Sequence, residues 1–159
     1  MTKGKQESAP GTKLIAQNKR ARYDYFIEDT IEAGLQLQGT EVKSCRAGKA
    51  NLSDAYVSVK DGEAWLLQCH ISPYSHGNRA NHDPIRPRKL LLHRAEIDRL
   101  AAKVSQDGRT LIPVRLYFKH GLAKAEVAVA RGKKNYDKRR TMATRDAERQ
   151  MRRALSDRH

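Results

Sequence analysis

The stretch YFIEDTIEAGLQL, residues 25–37, decides the fold. Tyr25, Ile27, Ile31, Leu35 and Leu37 fall at odd positions, with Glu28, Thr30, Glu32 and Gln36 between them. A period of two predicts a long strand with one face buried. Gly34 interrupts the pattern, and a glycine inside a strand marks a bulge or a bend where a sheet curls.

The flanking segments extend this to a β-rich domain. Gly39-Thr40 offers a helix start with Glu41 in the first turn, where the helix dipole favours an acid. Val42 and Cys45 then share a face, and Gly48 closes the helix. Residues 52–59 and 64–71 read as strands joined by Asp61-Gly62, a strong hairpin signal. Residues 72–89 form a long connection with Pro73, Pro84 and Pro87, of the kind that is usually functional or mobile. Ile97, Leu100, Ala101 and Val104 follow helical spacing, which predicts an amphipathic helix over 94–106. Strands over 110–119 and 123–130 meet at His120-Gly121. The sum is a mainly β protein: a small closed OB-like barrel with two or three helices packed on it and a basic C-terminal tail. Periodicity alone leaves an SH3-like barrel open.

The charge is unevenly placed. The net charge of +14 points to a polyanionic partner. Residues 1–22 carry +5, residues 23–130 only +2, and residues 131–159 carry +7. The division that follows is a disordered arm over 1–13, a folded domain over 14–130, and a basic tail over 131–159. In the tail Ala143, Ala147, Met151, Ala154 and Leu155 recur at spacings of three and four, a thin stripe for a lone helix. The tail is expected to be disordered when free and helical on a partner. No apolar run is long enough to span a bilayer, and the N-terminus lacks the apolar segment of a secretory signal. Basic arms with few large apolar residues fit a membrane surface poorly. Two cysteines, Cys45 and Cys69, are too few for a disulfide framework, so a cytoplasmic, reduced setting is the simplest reading.

Catalytic chemistry finds little footing. Cys69, His70, His76 and His82 match no structural zinc spacing. Asp54 and Asp61 read more simply as solvated strand-end acids than as Mg²⁺ ligands of a nuclease. No nucleophile elbow, phosphate-cradling glycine loop or triad signature is present. The chain is read as a non-enzyme without a cofactor or metal. RNA binding has better support. Asn18, Lys19, Arg20, Arg22 and Tyr23 mix groups that neutralise phosphate, read a base edge and stack. Arg79, Arg86, Arg88 and Lys89 add charge to the proline-rich connection. Lys134 and Tyr136 lie within a basic decapeptide, residues 131–140. A generic ribosome-associated RNA chaperone and an RNA-processing enzyme are the competing readings.

Four stretches carry a family resemblance: IAQNKRARYDYFIEDTIEAGLQLQGTEVKS at 15–44, RAGKANLSDAYV at 46–57, RKLLLH at 88–93 and GKKNYDKR at 132–139. Together and in this order they resemble the small protein B (SsrA-binding protein) family from about Ile15 to Arg140. Cys45 and the 74–82 loop composition depart from its commonest forms. The resemblance implies an OB-like barrel and a role without catalysis. The partners it implies are the tRNA-like domain of transfer-messenger RNA, elongation factor Tu with GTP, and the small-subunit rRNA of ribosomes stalled on truncated messages; the chain is expected to be monomeric. Carried over by position, the RNA-facing residues are Asn18, Lys19, Arg20, Glu32, Leu91 and Lys124. On the hydrophobic pattern alone, Leu91 fits core burial equally well. Gly132, Lys133, Tyr136, Asp137, Lys138 and Arg139 match the segment implied to engage the decoding centre and empty message channel.

Overall fold

The computed structural model describes residues 11–76, 81–106 and 108–156. Among them the order is β1 (Thr12–Gln17), α1 (Ala21–Asp24), β2 (Tyr25–Leu35), α2 (Gly39–Arg46), β3 (Ala50–Asn51), β4 (Tyr56–Lys60), β5 (Glu63–Leu67), β6 (His70–Ile71), β7 (Arg88–Leu91), α3 (Arg94–Val104), β8 (Arg109–Lys119), β9 (Leu122–Gly132) and α4 (Asn135–Ser156). The mainly β expectation holds, with three helices, α1 to α3, within the domain and a fourth, α4, in the basic tail. β3 and β6 pair apart from the main sheet, whose order is β1-β8-β4-β5-β7-β2-β9, with β9 also bonded to β8. Hydrogen-bonded neighbours therefore run from β8 through β4, β5, β7, β2 and β9 back to β8. The β4–β8 joint rests on one register pair, Val57 with Leu111.

Both tight turns follow from their residues. Asp61-Gly62 and His120-Gly121 all hold positive φ, from 50° to 78°. That is the backbone of a two-residue hairpin turn matching the strand twist. The sequence reading placed strands over 52–59 and 64–71; the first begins only at Tyr56, as β4, with β3 lying before it, and the second is split into β5 and β6. Thr12 and Lys13, assigned to a disordered arm, instead open β1, where they pair with Lys119 and Phe118. Residues 1–10, the rest of that arm, and Arg79 lie outside the described residues. Arg88 and Lys89 leave the predicted connection and form the start of β7.

The alternation read in residues 25–37 is only half right, because a bulge exchanges the faces. β2 shifts register between Ile27 and Asp29. Before the shift Tyr25 and Ile27 pack on an outer cluster of Ala21, Ile112, Val114, Ala128 and Ala130. After it Ile31, Ala33 and Leu35 face the main core with Leu66, Leu90, Leu116, Val127 and Val129. β8 makes the same exchange between Pro113 and Arg115. An inserted residue reverses which side chains face inward, because strand side chains alternate. Each fully buried leucine of this core contributes about 1.5–3 kcal/mol.

The consequence is a two-part outer surface. Over the first half of β8, α1 covers Ile112 and Val114 by burying Ala21 on them. Over the second half, Arg115, Tyr117 and Lys119 face outward while Leu116 and Phe118 join the core. Of the bulge or bend expected at Gly34, no bulge is present; the register irregularity sits six residues earlier, and Gly34 serves a close approach. A Cβ there would lie 3.1 Å from the Cβ of Leu91 on β7.

Candidate nucleic-acid interface

One register row crosses five strands on the outer face not covered by α1. Leu91 of β7 pairs with Gly34 of β2, and Gly34 with Lys124 of β9. Lys124 pairs with Tyr117 of β8, and Tyr117 with Leu14 of β1. Directly paired residues project from the same face, so Leu91, Lys124, Tyr117 and Leu14 stand side by side with a gap at Gly34. Glu32, two residues along β2, occupies the adjacent row opposite Glu126. Leu91 is 53% exposed, so it is a surface residue and the core-burial reading is set aside. A groove of about 590 Å³ between this face and the start of α3 is lined by Glu32, Lys89, Leu91 and Lys124 together. Four residues from three strands, β2, β7 and β9, thus share one cleft.

Its charges are arranged unequally. Lys89 pairs with Glu63 at 3.2 Å. Lys124 makes no ion pair with any other described residue. Glu32 accepts a hydrogen bond from the Tyr117 hydroxyl, and Lys119 Nζ lies 3.4 Å from the same oxygen, Oε2. The Tyr117 bond, opposed by burial and joined by Lys119 and Lys124, holds the Glu32 carboxyl below the usual carboxylate range. In turn, burial and the Glu32 carboxylate push the Tyr117 hydroxyl up. Glu32 is therefore a fixed acceptor among cations, and its neighbours offset the repulsion an acid would meet beside phosphate. Tyr117 and Lys119 were absent from the sequence-based site. The signal was available, since Arg115, Tyr117 and Lys119 alternate along a predicted strand.

A second cluster forms around α1. Asn18, Lys19 and Arg20 line a shallow recess with Asn51 and Ser53. The Asn18 side-chain amide donates to Pro113 O at 3.4 Å, and Lys19 and Arg20 are exposed. Arg20 stacks over the Tyr23 ring at 5.5 Å and lies 3.7 Å from Asp24. The tail root docks on the same turn. Lys133 donates its backbone N–H to Asp24 O and its Nζ to Arg22 O. Lys138 reaches the Asp24 carboxylate at 3.5 Å and the Tyr23 ring at 5.9 Å. Lys133 also lies 5.0 Å over the Phe26 ring. Asp137 Oδ2 accepts from the Lys134 N–H at 3.3 Å, near the start of α4, where an acid suits the helix dipole. Beyond this root α4 buries no residue; Lys134, Tyr136 and Arg139 are exposed, and Gly132 ends β9 opposite Tyr25.

Arg88 is a correction. It was assigned to the RNA surface because it is basic and lies in the proline-rich connection, yet it is 0% exposed. Its guanidinium donates to Glu41 and to the carbonyls of Cys69 and Pro84. Arg86 binds the same carboxylate. Glu41 also accepts the Gln38 N–H at 2.8 Å, capping α2. Burial pushes the Glu41 carboxyl up, but Arg86, the Gln38 N–H and Arg88 outweigh it and the net shift is downward. Cys45 and Cys69 sit beside this pair, buried, with thiols pushed up by burial to about 12 and about 11. His82 is also interior, bonded to Thr40 Oγ1 and Ile71 O at 2.8 Å each. Among the described residues no group of three or more His, Cys, Asp or Glu is placed to hold a metal, and no helix is long and apolar enough to cross a membrane.

Fold and surface thus define a mainly β protein that gathers cations on one outer sheet face, on α1 and along a projecting helix. The model of the SmpB protein family matches residues 15–157. The SsrA-binding protein of Thermobifida fusca is 59% identical over 96% of this chain and 96% of its own length. That of Syntrophomonas wolfei is 60% identical, covering 94% and 95%. A solved chain from "tmRNA-SmpB: a journey to the center of the bacterial ribosome" superposes with a TM-score of 0.65 at 50% identity, over 76% of this chain and 85% of that one. The chain belongs to the SmpB family.

Proposed function

We propose that this chain is a trans-translation cofactor that binds the tRNA-like domain of transfer-messenger RNA and brings it to ribosomes stalled without message. The ring of strands is read as a closed OB-like barrel, and the chain as a cytoplasmic monomer that acts without catalysis. Elongation factor Tu with GTP completes the delivery complex. The observation that carries the reading is the outer cleft, where Leu91, Lys89, Lys124 and Glu32 meet. An apolar contact, cations for phosphate and a fixed acceptor for a base or sugar donor are the groups that grip a folded RNA by shape. Asn18, Lys19, Arg20 and Arg22 extend the RNA-facing surface.

The tail, Gly132, Lys133, Lys134, Tyr136, Asp137, Lys138 and Arg139 with the rest of α4, is assigned to the decoding centre and the empty message channel of the small subunit. A helix with no buried residue is marginal in water, so the distal part of α4 is read as disordered in the free chain and ordered on rRNA. A message in the channel excludes it sterically, which selects stalled ribosomes.

The test is a gel-shift titration at about 150 mM salt, where non-specific binding is weak. Transfer-messenger RNA will bind far more tightly than a bulk tRNA pool. Equal affinity returns the chain to a generic RNA chaperone, and metal-dependent cleavage of either RNA revives the processing enzyme.

A further inference from the structure

We infer that Tyr117 is a positioning residue for RNA recognition: its hydroxyl holds the Glu32 carboxylate so that the second oxygen is presented to a donor group of the RNA. This deepens the reading above and rests on it. Tyr117 Oη and Lys119 Nζ both converge on Glu32 Oε2. Oε1 accepts no hydrogen bond from the described residues, and Glu32 lines the cleft with Leu91 and Lys124. A carboxylate anchored through one oxygen keeps a single orientation for the other, and a positioned group loses less freedom on binding. The ligand group this suits is a hydrogen-bond donor, a base amino group or a ribose 2′-hydroxyl, rather than a phosphate.

The fold supplies the anchor deliberately. The bulge between Pro113 and Arg115 places Tyr117 on the outer face, where neighbouring side chains leave the residue only 5% exposed. The Arg115 guanidinium lies 5.0 Å over that ring, while Arg115 Nε bonds Glu126 at 2.6 Å. The titratable and charged groups around Glu32 are thus Arg115 and Lys119 from β8, Lys124 and Glu126 from β9, the Lys89–Glu63 pair from β7 and β5, and His93, Arg94 and Glu96 at the start of α3. The ring stays fixed by packing when the hydroxyl alone is removed, so Tyr117→Phe isolates the one hydrogen bond.

The experiment uses the full chain in three forms: Tyr117→Phe, Glu32→Ala and the double variant. First, the Glu32 carboxyl is titrated by carbon NMR without RNA. Its midpoint will rise toward the ordinary glutamate value in Tyr117→Phe, while the melting temperature stays close to that of the unaltered chain. Second, binding to the isolated tRNA-like domain of transfer-messenger RNA is measured at neutral pH. Tyr117→Phe will weaken it about tenfold, the scale of one hydrogen bond to a charged group, and the double variant will bind no worse than Glu32→Ala. An unmoved midpoint, or additive losses in the double variant, overturns the positioning role and leaves the cleft assignment standing. A Glu32→Ala chain that binds as tightly as the original overturns both.

Discussion

Arg88 and Lys124 are both cations on neighbouring parts of the sheet, and their surroundings give them opposite tasks. Arg88 is enclosed, with Glu41 and three carbonyls, of Cys69, Asp83 and Pro84, taking up its donors. Lys124 is half-buried at the cleft without an ion pair among the described residues. Glu41→Gln leaves a buried guanidinium without its counter-charge, which costs about 3–5 kcal/mol. For a chain of this size that is a fall of roughly 10 °C in melting temperature, readable by circular dichroism, with intrinsic RNA affinity of the folded fraction unchanged. Lys124→Ala will do the reverse, losing RNA affinity and lowering the salt dependence of binding with little change in melting. Because the Glu41 carboxyl titrates below its unfolded value, its stabilisation is complete above about pH 4.5 and is lost as pH falls through the folded value. Glu41→Gln should therefore flatten the acid limb of the stability curve. At this scale the sequence misled where charge alone was counted: Arg88 reads as a phosphate ligand until burial pairs it with an acid 47 residues away in the chain. Leu91 stayed ambiguous for the converse reason, since its exposure depends on Gly34 lying opposite it.

The elements were legible wherever the pattern was local. The two hairpin turns, α2, α3 and the long strands β2, β8 and β9 all follow from turn chemistry and period. What local pattern missed were the bulges in β2 and β8, because an inserted residue leaves the alternation looking intact while reversing its meaning. β1 was missed because TKLIAQ is short and owes its strand conformation to pairing with β8. The α1 turn and the tail root form a coupling that charge counting split into an RNA arm and a ribosome tail. Asp24 is shared by Arg20 and Lys138, so Asp24→Asn weakens the seat of α4 without touching the core. Amide exchange over residues 133–141 will quicken in Asp24→Asn, while exchange in β8 and β9 stays as in the unaltered chain. Unchanged exchange over 133–141 would show that the Lys133 backbone bond and the Phe26 ring hold the root by themselves.

At the scale of the whole molecule, the charge map drawn from sequence and the folded surface agree in outline. Most of the +2 middle forms the strand ring, and residues 135–156 of the +7 tail form the helix α4. Residues 32, 91 and 124 were brought together in advance only through family resemblance, and Lys89 through the charge of the proline-rich connection, since composition has no means of assembling the cleft. We propose that ring and tail divide the work: the outer face grips transfer-messenger RNA and the tail acts on the ribosome. The most direct measurement truncates the chain after Gly132, which keeps β9 whole, and follows two readouts side by side. Binding to transfer-messenger RNA will stay within a few-fold of the full chain, as removing solvent-exposed charge at moderate salt implies, while tagging of nascent chains on stalled ribosomes will be abolished. Loss of binding to isolated transfer-messenger RNA, or tagging that survives the truncation, would contradict the account.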